Sequence, residues 1–361
     1  MKPRTSFFWR LCQLFFCFTL LVYAFSYFVF TGHWAVGFLM MSLPILLIVH
    51  AILLIFLLLF QSQKTWLSVL VLLLSFPFWA RTWKIPHSIE ISEITSKEIS
   101  VMSYNVMSFD LYHYLDGTNP KNTFDLIEWV KNSEADIKCF QEFYNTDANP
   151  DLNTIQQLKK AGYKNYTLLT TKHKHYYRGL VIMSKYPIVK QGEKEFSDPN
   201  GLLYADIKIG KDTIRVINVH LRSMIVRFGG LKEAYQDKDY DQGKSETRKV
   251  FGKLKRGFVY HAKETQLLTE WIDQSPHPVL LCGDFNEIPY GYAYGQVHKR
   301  LSNAFESAGS GFGFTYKNTP RFIRIDNQFY DKKKLEVLDF QTRSDVKYSD
   351  HYPIIGRYKL L

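Results

Sequence analysis

Asp284 and Asn286 are two short polar side chains set on either side of Phe285, and they follow the apolar run Val279 to Cys282 and then Gly283. In extended backbone successive side chains point to opposite faces, so the carboxylate and the amide leave this strand end on one side while Phe285 anchors the other. A polar site on a rigid scaffold is built this way. A strand that simply stops in a polar turn has the same local look, so the remaining strand ends decide between the two.

They carry the same kind of residue. Asn105 follows the alternating stretch Ile99 to Tyr104, Glu142 follows Ile137 to Gln141, and His220 follows Thr213 to Val219. Asp326 lies in Arg324-Ile325-Asp326-Asn327, which begins a strand that runs through Tyr330, and Asp350 with His351 stands just before the closing strand Ile354 to Tyr358. A carboxylate at such a place suits a hard cation such as Mg²⁺, which takes one or two carboxylates and keeps several waters. Cleaving a phosphate ester requires charge neutralisation, an activated water and a stabilised leaving oxygen. A metal carboxylate, a His held by an Asp, and amide donors supply those functions.

Helices must return the chain between these strands. Asn122 to Ser133 and Ala262 to Ser275 each have an apolar face, and Leu152 to Lys160 and Tyr290 to Leu301 read as shorter helices. Tyr166 to Leu169 and Leu180 to Ser184 are strands flanking the polar loop 170–178, with His173 and His175, a candidate substrate rim. Tyr204 to Ile209 and Thr213 to Val219 form a hairpin around Gly210-Lys211-Asp212, and Leu335 to Gln341 adds a strand. Ile85 to Lys97 is a linker or first edge strand, and Arg222 to His261 an irregular, partly helical insertion rich in Lys and Arg. A layered α/β fold gathers the strand ends into one crevice.

The composition changes near residue 80. The first 80 residues hold Lys2, Arg4, Arg10 and Lys64 and no acid. Leu11 to Phe30 and Ala35 to Phe60 are each long enough to cross a bilayer, which takes about 20 apolar residues. Trp66 to Ala80 is shorter, contains Pro77 and ends in Trp79, Arg81, Trp83 and Lys84; it reads as a third span, with an interfacial segment as the alternative. The division is thus 1–84, a transmembrane region, and 85–361, a catalytic domain. The basic N-terminus favours the cytoplasmic side, so three spans put the catalytic domain outside the cytoplasm and two put it inside.

Beyond residue 80 there are 41 Lys and Arg against 34 Asp and Glu, a balance of +7 that suits anionic substrates or an anionic lipid surface. Cys12, Cys17, Cys139 and Cys282 stand in apolar runs at spacings that match neither a disulfide framework nor a zinc site.

Seven segments in order carry a family resemblance: Ser-Tyr-Asn-Val (103–106), Gln-Glu (141–142), Arg-Gly-Leu-Val-Ile-Met-Ser-Lys-Tyr-Pro-Ile (178–188), Val-His-Leu (219–221), Gly-Asp-Phe-Asn (283–286), Arg-Ile-Asp (324–326) and Ser-Asp-His (349–351). Together they resemble the endonuclease/exonuclease/phosphatase family, which has the deoxyribonuclease I-like fold. The resemblance implies a four-layer α/β sandwich, two packed β-sheets flanked by helices. It also implies that Glu142, assisted by Asn105 and with Asp350 close by, binds Mg²⁺ or Mn²⁺. Asp326 orients His351, Asp284 orients or activates the water, and Asn286 and His220 contact the phosphate. Asp284 and His351 both remain candidates for the general base.

The nucleases of the family that cut at abasic sites carry an Asp two residues after the first Asn; Met107 stands there. The apolar N-terminus resembles that of bacterial membrane-anchored members, which implies a multi-pass protein of the inner (cytoplasmic) membrane. The reading that follows is a membrane-anchored, metal-dependent phosphoesterase acting on a lipid or lipid-linked phosphate. A membrane-tethered nuclease, with 222–261 and the His173 loop as its groove, is the alternative, and an inactive binding module a third.

Overall fold

The computed structural model describes residues 7–60, 65–85, 98–172, 176–224, 240–318 and 322–361. Two six-stranded mixed sheets form the C-terminal part. One has the order β11 (Leu335–Thr342), β12 (Ile354–Leu360), β1 (Glu98–Asn105), β2 (Ile137–Asn145), β4 (Tyr177–Ser184), β3 (Asn165–Lys172). The other has the order β5 (Ile188–Ser197), β6 (Asn200–Ile209), β7 (Asp212–His220), β8 (Val279–Asp284), β10 (Asp326–Tyr330), β9 (Ser302–Asn303). Each contains one parallel pair, β1 with β2 and β7 with β8.

Strand alternation sorts the side chains into layers. Val101, Cys139, Leu280 and Cys282 fill the space between the sheets, together with Ile182, Val216 and Tyr358. Their neighbours Met102 and Phe140 point the other way, under helix Pro120–Asn132 with its Leu126, Ile127 and Val130. Leu281, Phe285 and Phe329 face outward on the second sheet, against Leu268 and Ile272 of helix Tyr240–Asp273. This is the four-layer sandwich expected from the sequence. Polar residues also cross between the sheets: Gln141 Nε2 donates to Asn218 Oδ1 (2.6 Å), and Gln328 Nε2 to Val101 O (3.0 Å).

Several elements differ from expectation. β2 does not stop at Gln141 but runs on to Asn145 through a bulge between Phe140 and Phe143, with Glu142 at φ 49°. β5 is a further strand, a largely exposed edge whose charged residues hide its alternation. The insertion is more regular than expected: helix Tyr240–Asp273 is continuous over 34 residues, and Ala262 to Ser275 is only its end. Residues 86–97, the His173 loop (173–175) and Arg227 lie outside the described residues.

At the N-terminus, α1 (Phe7–Phe28) and the stretch Trp34–Phe60 are, among the described residues, the two helices long and apolar enough to cross a membrane. The second stretch divides at Ser42 into α2 (Trp34–Met41) and α3 (Leu43–Phe60). Trp66 to Ala80, expected as a third span, instead forms α4 (Trp66–Leu74) and α5 (Phe76–Thr82), 9 and 7 residues long. Pro77 has no N–H to continue the ladder, and the junction residue Ser75 uses its hydroxyl on Leu72 O (2.6 Å) while accepting from Trp79 Nε1 (2.8 Å).

These helices are docked on the sandwich. Phe38 of α2 stacks on Phe251 and meets Phe258 edge-on, and Lys255 lies over the Trp34 ring. Tyr290 packs with Val22, Leu43, Val71 and Phe78, and its hydroxyl pairs with Thr82 Oγ1 (2.6 Å). Arg81 reaches Pro289 O (3.3 Å) and Glu306 Oε1 (3.6 Å), while Arg324 Nη2 donates to Arg81 O (2.8 Å).

Candidate active site

The topology explains why the polar residues meet. Asn105 and His220 are the last residues of β1 and β7, and Asp284 is the last of β8. His220 is in register with Asp284, Asp284 with Asp326, and Asn105 with Gln141, one residue before Glu142. β12 is antiparallel to β1, so Asp350 and His351 approach the same end from the opposite chain direction. Gly283 is required for this closeness: at φ 150°, a Cβ there would fall 2.0 Å from Val219 O.

His351 Nδ1 is 2.9 Å from Asp326 Oδ2, and Nε2 is 3.8 Å from Asp284 Oδ2. Asp284 Oδ2 accepts from Asn105 Nδ2 (3.1 Å) and lies 3.5 Å from His220 Nε2; its Oδ1 accepts from the Asn286 backbone N–H (2.8 Å). Asn105 Nδ2 also faces Glu142 Oε1 at 3.4 Å, and His220 Nε2 is 4.0 Å from the same oxygen. Asn105, His220, Asp284, Asp326 and His351 are all buried. Asp350 adjoins the group, its Oδ1 accepting from Ser349 Oγ (3.3 Å). Asn286 behaves otherwise than expected, since its side-chain amide donates to Leu221 O (2.9 Å) and braces the ends of β7 and β8.

Burial raises the Asp284 carboxyl to about 7, with the Asp326 charge acting in the same sense and His351, Asn286 and Asn105 opposing. For His351, burial alone pushes the imidazole down, but the carboxylates of Asp326 and Asp284 outweigh it and hold the ring up at about 10. Burial lowers His220 and raises Asp350, and Glu142 pushes Asp350 the same way.

Supporting residues came from outside the expected set. Thr315 Oγ1 accepts from the N–H groups of Ile325 (3.0 Å) and Asp326 (3.1 Å), and Thr315 O accepts from Tyr352 N (2.7 Å), so one residue fixes both Asp326 and the His351 turn. Tyr316 packs edge-on to His351 at 5.1 Å. Arg178, part of a motif but given no role, has its Nη2 3.6 Å from Glu142 Oε2. Met107 to Asp110 all have left-handed φ, 46°, 52°, 56° and 55°, and the Met107 N–H bonds Asn105 Oδ1 (3.1 Å), which turns the Asn105 amide toward Glu142 and Asp284. Of Thr315, Tyr316 and Arg178, Arg178 alone stands in a segment singled out from the sequence.

Two places could hold a cation. The ligand atoms of Asp284, Asp326 and His351 all lie within 4.8 Å of one another. Glu142 and Asp350 are two further carboxylates, and the Glu142 charge adds to the burial that makes Asp350 harder to ionise. In the first cluster His351 Nδ1 already bonds Asp326, so a cation there would take the ring through Nε2, the nitrogen that faces Asp284.

Residues 102–351 match the endonuclease/exonuclease/phosphatase family, and residues 5–82 match a domain of unknown function. No curated protein matches the chain. Among solved structures, an endonuclease/exonuclease/phosphatase family protein from Bacteroides thetaiotaomicron is 17% identical, covers 73% of this chain and 98% of its own, and superposes with a TM-score of 0.51. Truncated TDP2 from Caenorhabditis elegans is 22% identical, with 74% and 100% coverage and a TM-score of 0.48. An endonuclease/exonuclease/phosphatase from Beutenbergia cavernae is 14% identical, with 73% and 72% coverage and a TM-score of 0.49. With the family matched over 250 residues and the same sandwich found in the Bacteroides structure, the chain belongs to the endonuclease/exonuclease/phosphatase family.

Proposed function

We propose that the protein is a membrane-anchored, divalent-metal-dependent phosphoesterase that hydrolyses the phosphate ester of a lipid or lipid-linked substrate. The observation that carries the chemistry is the His351 ring held between Asp326 and Asp284, beside Asn105, His220 and Glu142. Glu142 and Asp350 would hold the metal, Mg²⁺ or Mn²⁺, with the Asn105 amide N–H steadying Glu142 rather than ligating the ion. When bound, such an ion neutralises phosphate charge and stabilises the leaving oxygen.

Both ring nitrogens of His351 face carboxylates, so its protonated form satisfies both, and the ring serves as a fixed positive charge toward the phosphoryl oxygens. Asp284 then takes the role of base. Its oxygens stand among Asn105, His220 and His351, where it can hold a water by one lone pair and accept its proton. His220 contributes a donor toward the phosphate. Asn286 acts through the backbone it braces, with its N–H fixing Asp284.

The membrane reading is supported by the docking of α5. Thr82 and Arg81 hold Tyr290 and Pro289, in the loop that leaves the site strand. Contacts at both ends of the apolar helices support three passes despite the break at Ser75. Near the N-terminal end, Trp9 and Cys12 pack with Leu67, and Phe8 meets Phe56. At the other end Val29, Met40 and Phe78 lie by the sandwich residues Tyr292 and Tyr290. A course of α4–α5 alongside α1 is what supports a sandwich on the side opposite the N-terminus which, with a cytoplasmic N-terminus, is outside the cytoplasm. The nuclease reading loses part of its basis, because Lys255 of the basic helix is occupied with Trp34 beside the apolar helices.

The test is head-group or phosphate release by the purified full chain in nanodiscs, with Mg²⁺ or EDTA, from a panel of phospholipids, lipid-linked pyrophosphates and DNA. Metal-dependent lipid turnover that disappears in His351→Ala is the expected result. Turnover of DNA alone would overturn the lipid assignment.

A further inference from the structure

A cavity of about 880 Å³ lies beside the site, bounded by the 308–317 segment, Phe322, the end of β11 and the turn that follows it. Tyr316 is shared: it lines the cavity and packs on His351, and Lys317 of the same wall donates its N–H to Asp350 O (2.8 Å). The cavity therefore opens one residue away from the reacting centre.

Its polar side chains are largely paired with one another. Gln341 donates to Asp339 (2.8 Å), Arg343 forms a two-bonded pair with Asp345 (2.9 and 2.7 Å), and Lys317 Nζ donates to Lys347 O (2.8 Å). What stands most open to water on this wall is aromatic. Phe312 stacks on Phe314 at 5.2 Å and Phe314 meets Phe322 at 5.6 Å, yet Phe312 is 51% and Phe322 74% exposed. Three touching phenyl rings open to water on one rim mark a surface made for an apolar partner.

The position of that rim says which partner. Gly311, next to Phe312, exchanges two backbone hydrogen bonds with Lys84 (both 2.9 Å), two residues beyond the end of α5. Trp79 and Trp83, both about half exposed, flank that end as interfacial residues do. The rim is thus tied to the place where the apolar helices give way to the sandwich, and its size lies in the range of ligand-holding clefts.

We propose that this cavity holds the hydrocarbon chain of a lipid phosphate, drawn from the bilayer past Phe322 and Phe312 so that its head group reaches His351 beside Tyr316. The inference rests on the lipid phosphoesterase reading and names the part of the molecule that selects its substrate. Lys317 and Lys347 on the same wall match the negative charge of the head group.

The test uses the full chain in phosphatidylcholine nanodiscs doped with phosphatidic acid that carries a diazirine on one acyl chain. After irradiation, mass spectrometry maps the adducts, with adducts on residues 7–83 as internal reference. The expected result is a cluster of adducts on 308–317 and 339–347, reduced about tenfold relative to the reference in the double variant Phe312→Ser, Phe322→Ser, as loss of two apolar contacts implies. Adducts confined to 7–83, or pocket adducts that the double variant leaves intact, would overturn the proposal. Hydrolysis of the tail-less ester bis(p-nitrophenyl) phosphate by the unaltered chain is read in parallel. Hydrolysis without pocket adducts removes the tail site and leaves the phosphoesterase, whereas pocket adducts without hydrolysis keep the lipid site and remove the catalytic reading.

Discussion

His351 donates from Nδ1 to Asp326 at 2.9 Å while its Nε2 looks across to Asp284 at 3.8 Å, so one imidazole is shared by two buried carboxylates. Asp326→Asn keeps the shape but removes the charge that steadies the imidazolium. A fall in kcat of roughly 10²–10⁴-fold is expected, with KM little changed, on bis(p-nitrophenyl) phosphate. A drop in KM affinity with kcat intact would mean that the pair binds substrate rather than stabilises the reaction.

Glu142→Gln removes one of the two carboxylates assigned to the metal and leaves Arg178 without its ionic neighbour at 3.6 Å. The concentration of Mg²⁺ that gives half-maximal rate is expected to rise by at least about tenfold, by analogy with the cost of disturbing a metal's surroundings. EDTA is expected to abolish turnover of the unaltered chain. Asp326→Asn, by contrast, should leave the Mg²⁺ titration midpoint near its original place.

Stability against pH has an identifiable contributor away from the site. His261 is buried, its Nε2–H donating to Arg222 O (2.7 Å), and Arg222 N donates to Glu264 Oε2 (3.0 Å). Burial chiefly lowers the imidazole from its ordinary 6.5 to about 4. Between those values the unfolded chain binds a proton that the folded chain refuses, so stability is intact above about pH 6.5 and declines as the pH falls toward 4. The loss from this one group reaches about 3 kcal/mol at most. In His261→Gln, whose amide can still donate to Arg222 O, the melting temperature should fall less steeply over that window. Equal slopes in the two proteins would rule the assignment out.

Arg81 joins the apolar helices to the sandwich, with side-chain exposures of 7% for Arg81 and 15% for Glu306. Arg81→Ala strips a half-buried carboxylate of its guanidinium partner and leaves the Pro289 carbonyl unbonded, and should cost about 3 kcal/mol, measured by thermal unfolding in detergent. His298 Nε2, 3.1 Å from Glu306 Oε2, limits the damage. Arg81→Lys should recover part of the loss.

Much of this site was legible because strand-end polar residues are short-range signals: Asn105, His220, Asp284 and Asp326 each stand directly at the end of an apolar strand. Asn286 misled, since sequence places it on the site face but cannot show that the Leu221 carbonyl claims its amide. Glu142 was identified as a residue and misplaced in geometry, because a bulge has no alternation to betray it. Thr315 works through contacts made 10 and 11 positions along the chain, a relation no periodicity encodes. Helix Tyr240–Asp273 looked irregular as far as His261 because Phe251 and Phe258 face α2 rather than the sheets. The third apolar run kept its composition and lost its continuity at Ser75 and Pro77.

The left-handed turn Met107–Asp110 has a bearing on how the protein can change. Four successive residues without a glycine among them occupy a conformation that costs roughly 1–2 kcal/mol each for L-residues. That sum is a sizeable share of the 5–15 kcal/mol by which a domain ordinarily outweighs its unfolded chain. The half-exposed Ser108 is the natural place to recover some of it, with Ser108→Gly raising the melting temperature. The same loosening would relax the N–H that aims Asn105, so robustness and turnover pull in opposite directions here. Variants selected for heat tolerance should therefore accumulate at this turn, and should be slower enzymes for it.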